Sequence, residues 1–490
     1  MIEIAIAGLL ALGLTAIGCL FYWLRGSRYR AMFKLPVRRD DSLPCRIQPE
    51  TLAVSLDRHG FELPSGAPAA TGQTVFLRLG VQATMMGHFF DPFITVGGPT
   101  HALRQHFERG ARGWRYVNLS HLFQRSGPSG LARVELRRHR LRWGALASLL
   151  VFPPPQRGDG EGDDEGELLV LAPHPDDAEL GAFGMYASRR SWVVTLTAGE
   201  RGADLGPVVP PEAWSRWNGR LRVLDSLMNP RLGQVPPERC VNLVYPDLQL
   251  EVMFRERPRP VRLACEATLS RASLRDQNPS PQFRRATANA TWDDLVAELR
   301  LLLETVKPTT ILCPHPVLDD HPDHVFTAVA LDCALRSLRH PLAASVLLYT
   351  VHGASPMHPI GPAETLVSFP PLAAAATGDG DGGGAASTGE TWVADAVRSH
   401  PLPEEVRLAK YFAVEAAHDL RSFDTGAPRA AREVWRRVKQ ELSAYVAGTS
   451  IAPTSFLRRA PRPNEIYAVV SQQSLSALVS RALLAREPRP

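Results

Sequence analysis

The chain has no CxxC pair; its six cysteines, Cys19, Cys45, Cys240, Cys265, Cys313 and Cys333, lie far apart. That excludes a thiolate zinc ribbon and a dithiol redox motif. The scattered set gives no sign of a disulfide framework, which fits a reducing compartment. Lysine is nearly missing: Lys34, Lys307, Lys410 and Lys439 are the only ones among 55 basic residues. Arginine therefore carries the net charge of +5. No dense basic stripe with interleaved aromatics occurs outside the N-terminal flank, so we read the arginine excess as composition bias and expect no nucleic-acid partner. Internal repeats are missing as well. With 21% charged and 44% apolar residues over 490 positions, the chain is not of the disordered class. It can bury a core without cross-links.

What is present begins with an apolar run. Ile4 to Leu24 is 21 residues without a charge, which as a helix spans roughly 30 Å, the thickness of a bilayer core. Only Glu3 is charged before it, while Arg25, Arg28, Arg30, Lys34, Arg38 and Arg39 follow. A cleaved signal would start with a basic segment, and so would a lipoprotein signal ending at Cys19. A buried core helix is the remaining alternative. Residues 1–35 are expected to be a single-pass transmembrane anchor with a basic flank, and the positive-inside rule puts the C-terminal bulk in the cytoplasm. Tyr22 and Trp23 stand where interfacial aromatics belong.

Residues 36–152 contain short apolar stretches with turn signals between them, at 75–83, 93–97, 114–120, 132–138 and 146–152. They predict a smaller β-rich, sandwich-like domain. Residues 153–167, PPPQRGDGEGDDEGE, are a Pro/Gly/acidic linker. The pattern then changes. Continuous apolar runs at 168–172, 191–197, 240–245, 309–313 and 344–350 read as buried parallel strands. They alternate with helical patterns at 178–190, 211–227, 292–306 and 322–338. That alternation predicts a doubly wound α/β sheet over 168–425. Residues 372–389 form a low-complexity insertion. Helical patterns at 402–423, 429–446 and 471–485 lead us to expect a helical extension over 426–490.

Two clusters carry chemistry, and each follows a predicted strand. The first is Pro173-His174-Pro175-Asp176-Asp177-Ala178-Glu179; the second runs from Pro314 to His324 and ends in His321-Pro322-Asp323-His324. Ligands of doubly wound sheets bind beyond the carboxyl ends of the strands. A catalytic zinc takes three N/O ligands and leaves one position open. His174 and Asp177, three apart at a helix start, can turn inward together, and His324 can supply the third donor. Asp176 is then free to take a proton from water. His321 can reach a developing oxyanion or a leaving amine, with Asp323 on its other nitrogen. Either motif alone can be a turn or a helix cap; the pair at two strand ends favours the site. His315 reads as a loop residue and Cys313 as a buried strand residue.

These residues resemble the PIG-L/LmbE-like family of zinc-dependent N-acetylglucosaminyl deacetylases, which pairs an (A/P)HPDD(A)E motif with a later HPDH motif. The resemblance covers roughly 166–425 and extends to TLTAGERG (195–202) and LVYPDLQL (243–250). It implies a Rossmann-like fold, with His174, Asp177 and His324 as zinc ligands and Asp176 as general base. It further implies His321 as transition-state stabiliser or acid, with Asp323 as its partner. Two departures stand out. Phe183 replaces a glycine after the first motif. The helix after T-x-G-E reads Arg216-Trp217-Asn218-Gly219-Arg220, without the family's Arg-x-x-Glu pair. Residues 250–290 look like an insertion.

The expectation is a zinc-dependent hydrolase, with Fe²⁺ or Co²⁺ able to use the same donors. It would remove an acetyl group from an N-acetylated amino sugar. The apolar run points to a lipid-linked or envelope glycan, and thus to a glycolipid substrate and a membrane as partners. An amidase on a larger acyl group or a sugar conjugate is the second reading, in which a deep channel beside Phe183 would show. An inactive glycan-binding scaffold, for which metal is dispensable, is the third.

Overall fold

The structure is a computed structural model. It describes residues 13, 15, 41, 45–64, 73–97, 102–123, 132–153, 166–202, 205, 209–285, 290–353, 359–368, 394–418 and 456–487. The expected anchor at 4–24 lies outside the described residues except for Gly13 and Thr15, both helical. Most of the linker, the low-complexity insertion and the helical pattern at 429–446 also lie outside them. Among the described residues no helix is long and apolar enough to cross a membrane.

Among the described residues, eight strands precede the linker: β1 (Glu50–Ser55), β2 (Gly60–Glu62), β3 (Thr74–Ala83), β4 (Phe93–Gly97), β5 (Leu103–His106), β6 (Arg112–Asn118), β7 (Arg133–His139) and β8 (Leu141–Phe152). They form two four-stranded sheets, in the orders β1-β8-β3-β6 and β2-β7-β4-β5. Alternation along β3 explains the packing. Val75, Leu77, Leu79 and Val81 enter the core shared with Ile94, Val96, Val134 and Leu136. Phe76, on the opposite face, joins Tyr116, Leu150, Phe152 and Val397. A strand apolar on both faces is covered on both.

The second unit is built on β9 (Leu168–Ala172), β10 (Ser191–Thr197), β11 (Cys240–Tyr245), β12 (Thr310–Pro314), β13 (Ser345–Tyr349), β14 (Ala396–Pro401) and β15 (Asn464–Val470). Their order is β11-β10-β9-β12-β13-β15-β14. The first five are parallel; β15 pairs antiparallel with both β13 and β14. Every residue of β9 is buried, because helices cover both faces of the sheet. Leu169 and Leu171 pack with α6 (Trp292–Val306) and α7 (Pro322–Arg336). Leu168 and Val170 pack with α1 (Asp177–Gly181), α2 (Phe183–Ala187) and α3 (Trp214–Met228). The α/β fold is therefore doubly wound. Connections leave β9 toward β10 and leave β12 toward β13, so β9 and β12 flank the switch point where such sheets bind ligands.

Local signals explain several helix starts. Thr291 and Asp294 form a reciprocal capping box at the start of α6, which satisfies two otherwise orphan N–H groups. Pro322 opens α7 at a position that needs no donor. The expected helix over 178–190 is instead two short helices broken at Ala182, whose φ of −135° is not helical.

The expectation of a helical C-terminal extension over 426–490 is corrected in part. Among the described residues, Phe456–Arg459 and Gln472–Ala485, α9, are helical, the latter capped by Ser471, but residues 464–470 between them form β15 and complete the sheet. The α/β unit thus runs past residue 425. The reason is non-local: β15 inserts between β13 and β14, and no local pattern announces that pairing.

Candidate metal centre

The carboxyl ends of β9 and β12 bring the two motifs together. Asp177 opens α1 and folds back, so its carboxylate accepts the backbone N–H of His174 at 2.9 Å. His324 lies in the first turn of α7. Three donor atoms then face one another. Asp177 Oδ2 is 3.0 Å from His174 Nδ1 and 3.0 Å from His324 Nε2, and the two nitrogens are 3.3 Å apart. Ligands about 2.0–2.1 Å from a tetrahedral cation stand roughly 3.4 Å from one another. The donor set and its spacing fit a divalent metal. His321 and His352 add imidazoles at its border, each completing a donor group with His324.

Carboxylates hold the far side of both imidazoles. His174 Nε2 is 3.3 Å from Asp247 Oδ1 and 3.4 Å from Asp323 Oδ2. His324 Nδ1 is 3.0 Å from Asp319 Oδ2. Burial works against a charged His324, but the Asp177 and Asp319 carboxylates outweigh it and carry the imidazole up to about 10. Burial likewise opposes a charged Asp319, yet His324 and His352, with the Val351 amide, bring it down to about 2. The pocket favours positive charge. His321 goes the other way: burial, then His174 and His324, push it down to about 4, so it is neutral at pH 7.

Asp176, next to Asp177 in sequence, has a different neighbour. Its carboxylate is buried and 3.4 Å from the Arg222 guanidinium. The chain must approach that arginine closely: Gly199 has φ +65°, and a Cβ there would lie 2.6 Å from Arg222 Nε. Further along α3 lie Arg222 and Asp225, both buried. Asp225 accepts from the His418 N–H at 2.9 Å and pairs with its Nδ1 at 2.6 Å.

The expected pairing of Asp323 with His321 is corrected too. Asp323 turns toward the loop after β11, where it accepts the N–H groups of Leu248 at 2.7 Å and Leu250 at 3.1 Å. It meets His174, and His321 Nδ1 is buried without a hydrogen-bond partner. His315 is structural. Its Nδ1 accepts the Val317 and Leu318 N–H groups at 3.1 Å each, and burial holds it neutral, down at about 3. Cys313 is buried in the strand. Phe183 is fully buried in the core against Tyr186, so it lines no acyl channel.

Sequence reasoning assigned no role to Asp247, Asp319, His352 or Glu200. A positional signal existed: each follows the end of a parallel strand or lies in the loop beyond it. Glu200 accepts the Asp247 and Ala264 N–H groups at 3.1 Å each; burial, then Asp247, raises it to about 7. Residues 250–285, among them α4 (Leu250–Arg255), support the end of β11. Arg271 and Arg275, in the short helix α5 (Arg271–Arg275), donate to the Val244 and Leu243 carbonyls at 2.9 and 2.7 Å. Val244 and Leu248 have positive φ, 54° and 58°.

Fold and site together define a Rossmann-like α/β protein with a candidate divalent-metal centre at its switch point. Residues 169–335, the segment that holds both motifs, match the PIG-L family model, GlcNAc-PI de-N-acetylase. No curated protein matches the chain. Similar solved structures include N,N'-diacetylchitobiose deacetylase from Pyrococcus horikoshii, at 13% identity and TM-score 0.32, covering 63% of this chain and 84% of that one. A zinc-inhibited teicoplanin deacetylase aligns at 15% identity and TM-score 0.30, covering 62% and 97%. The 4-carboxy-2-hydroxymuconate hydratase from Pseudomonas putida aligns at 13% and 0.31, covering 62% and 95%.

Proposed function

We propose that this chain is a hydrolase of a linear amide C–N bond: a divalent-metal-dependent deacetylase that releases acetate from an N-acetylated amino sugar. The observation that carries this reading is the cluster of His174 Nδ1, Asp177 Oδ2 and His324 Nε2, mutually 3.0–3.3 Å apart, with the buried Asp176 next to Asp177 in the chain. The match of this segment to a de-N-acetylase family model supports the acetamide as substrate. Zinc is the metal we propose, held by His174, Asp177 and His324. When bound there, a divalent cation supplies Lewis acidity at the acyl oxygen and lowers the pKa of water toward ~7.

The protein's own groups then divide the work. Asp176 accepts the proton of the attacking water and passes it to the leaving amine. Arg222 keeps that carboxylate apart from the ligands. His321, uncharged, donates a hydrogen bond to the developing oxyanion. Asp323 acts through His174 and the Leu248 loop, not through His321. The apolar run at 4–24 leads us to propose a lipid-linked or envelope glycan as substrate and a cytoplasmic catalytic domain held at a membrane. Protease protection of the C-terminus in intact cells is expected, and its digestion from outside would refute that orientation.

The test is acetate release from a panel of N-acetylated hexosamines and glycolipids by the zinc-loaded chain and its Asp176→Asn variant. Removing a general base costs about 10²–10⁴-fold in rate. We expect that loss with zinc content unchanged. An equally active variant would refute the role of Asp176, and no acetate from any substrate would refute the deacetylase reading.

A further inference from the structure

One carboxylate beside the cluster, that of Asp319, accepts from four donors. Asp319 is completely enclosed in the loop between β12 and α7. Its Oδ2 accepts from three directions: His324 Nδ1 at 3.0 Å, the Val351 N–H at 2.9 Å and the His352 N–H at 3.1 Å. Its Oδ1 accepts the His321 N–H at 3.3 Å. Asp319 and Gly353 also form an isolated bridge, and the Asp320 N–H donates to the His352 carbonyl at 3.2 Å. The loop after β12 and the loop after β13 are therefore stitched together at this residue. Its own backbone N–H donates to the His315 carbonyl at 3.1 Å, which seats it in the turn that His315 organises.

The geometry points to Asp319 as the positioning residue of the metal centre. It makes His324 keep its proton on Nδ1 and present Nε2, and it pins the backbones of His321 and His352 on either side. This inference rests on the metal reading above and deepens it. An imidazole has two nitrogens of equal ligating power, and only the partner of one decides which is left for the cation. His174 is held the opposite way, with Nε2 toward Asp247 and Asp323 and Nδ1 toward the centre. Without Asp319, His324 is free to flip its proton to Nε2. The rings of His321 and His352, whose centroids lie 5.1 and 4.8 Å from that of His324, lose their common anchor. Asparagine does not replace it. One amide oxygen can still accept from His324, but the NH₂ group then faces the His321 N–H, donor against donor.

The experiment uses the full chain and zinc as the probe. Zinc affinity is measured by competition with a chelating dye for the wild type, Asp319→Asn, Asp319→Ala and Asp320→Asn. Thermal unfolding confirms that each is folded. Loss of the carboxylate that orients a ligating histidine weakens metal affinity about 10–100-fold, and we expect that loss for both Asp319 variants. Asp320, which is exposed, should bind like the wild type when changed to Asn. In the zinc-loaded wild type labelled with ¹⁵N-histidine, we expect the His324 Nδ1–H proton to be slow to exchange, and the signal to be gone in Asp319→Ala. If both Asp319 variants fold and bind zinc within about threefold of the wild type, or if Asp319→Ala keeps that signal, the inference is overturned. If the wild type itself takes up no zinc, the metal reading falls and this inference with it.

Discussion

Nδ1 of His174 and Nε2 of His324 stand 3.3 Å apart although 150 residues separate them in the chain. The two rings offer opposite nitrogens to one point because opposite nitrogens are already engaged by carboxylates, Asp247 and Asp323 on one side and Asp319 on the other. The site is assembled from two strand ends, and neither half holds three donors.

Metal content should follow from that division. We expect about one zinc per chain in the wild type, and none retained after dialysis by His174→Ala or His324→Ala. Elemental analysis of the purified chains checks this. Full zinc occupancy in either variant would mean that the cation is held elsewhere.

A second prediction concerns Gly181, at the end of α1. A Cβ there would lie 2.3 Å from the ring of Tyr349. That ring cannot retreat: it is fully buried, and its hydroxyl donates to the Leu171 carbonyl at 2.8 Å. Gly181→Ala should cost about 1–3 kcal/mol by overpacking. It should lower the midpoint of urea unfolding, and an unchanged midpoint would contradict the packing.

A third concerns the buried pair Lys410 and Glu465, 2.7 Å apart. Lys410 extends from α8 (Glu404–Ala416) and also donates to the Leu180 carbonyl at 3.0 Å. Glu465 accepts from the Gly184 N–H and from the Tyr467 hydroxyl. Lys410→Met leaves that carboxylate uncompensated, which costs about 3–5 kcal/mol. Burial opposes the charge of Glu465, but Lys410 and the other donors hold its carboxyl below the ordinary value of 4.5. The stability that this contributes is fully present above the unfolded value. It is lost as pH falls through the lower folded value. Between pH 7 and 3 in urea, the wild type should therefore lose its advantage over Lys410→Met; a constant gap would refute the assignment.

The central sheet was legible because its strands are buried on both faces. LLVLA and SWVVTLT are continuous apolar runs that need no partner to be recognised. The metal cluster was legible because each half follows such a run. What was not legible depends on contacts between distant segments. NEIYAVV becomes a strand only because β13 and β14 leave a gap for it. The sequence cannot reveal that Asp323 turns from His321 to the Leu248 amide, since the positive φ of Leu248 that aims this amide is a property of the folded loop. Arg222 and Asp225 were not singled out, because spacing along a helix does not say which turn faces the sheet.

The outer edge of β14 carries a last consequence. Its Ser399 N–H is taken by the hydroxyl of Thr74 in β3, and just before the strand Arg46 and Ile47 donate to the Ala394 and Asp395 carbonyls. The β-sandwich thus acts as a cap on an otherwise open sheet edge, the kind of surface through which chains aggregate. The smallest piece of this protein able to stay monomeric is then larger than the piece that carries its chemistry. Excising the motif-bearing segment at 169–335 would keep every proposed metal ligand yet strip away the neighbours that keep the sheet from finding another copy of itself.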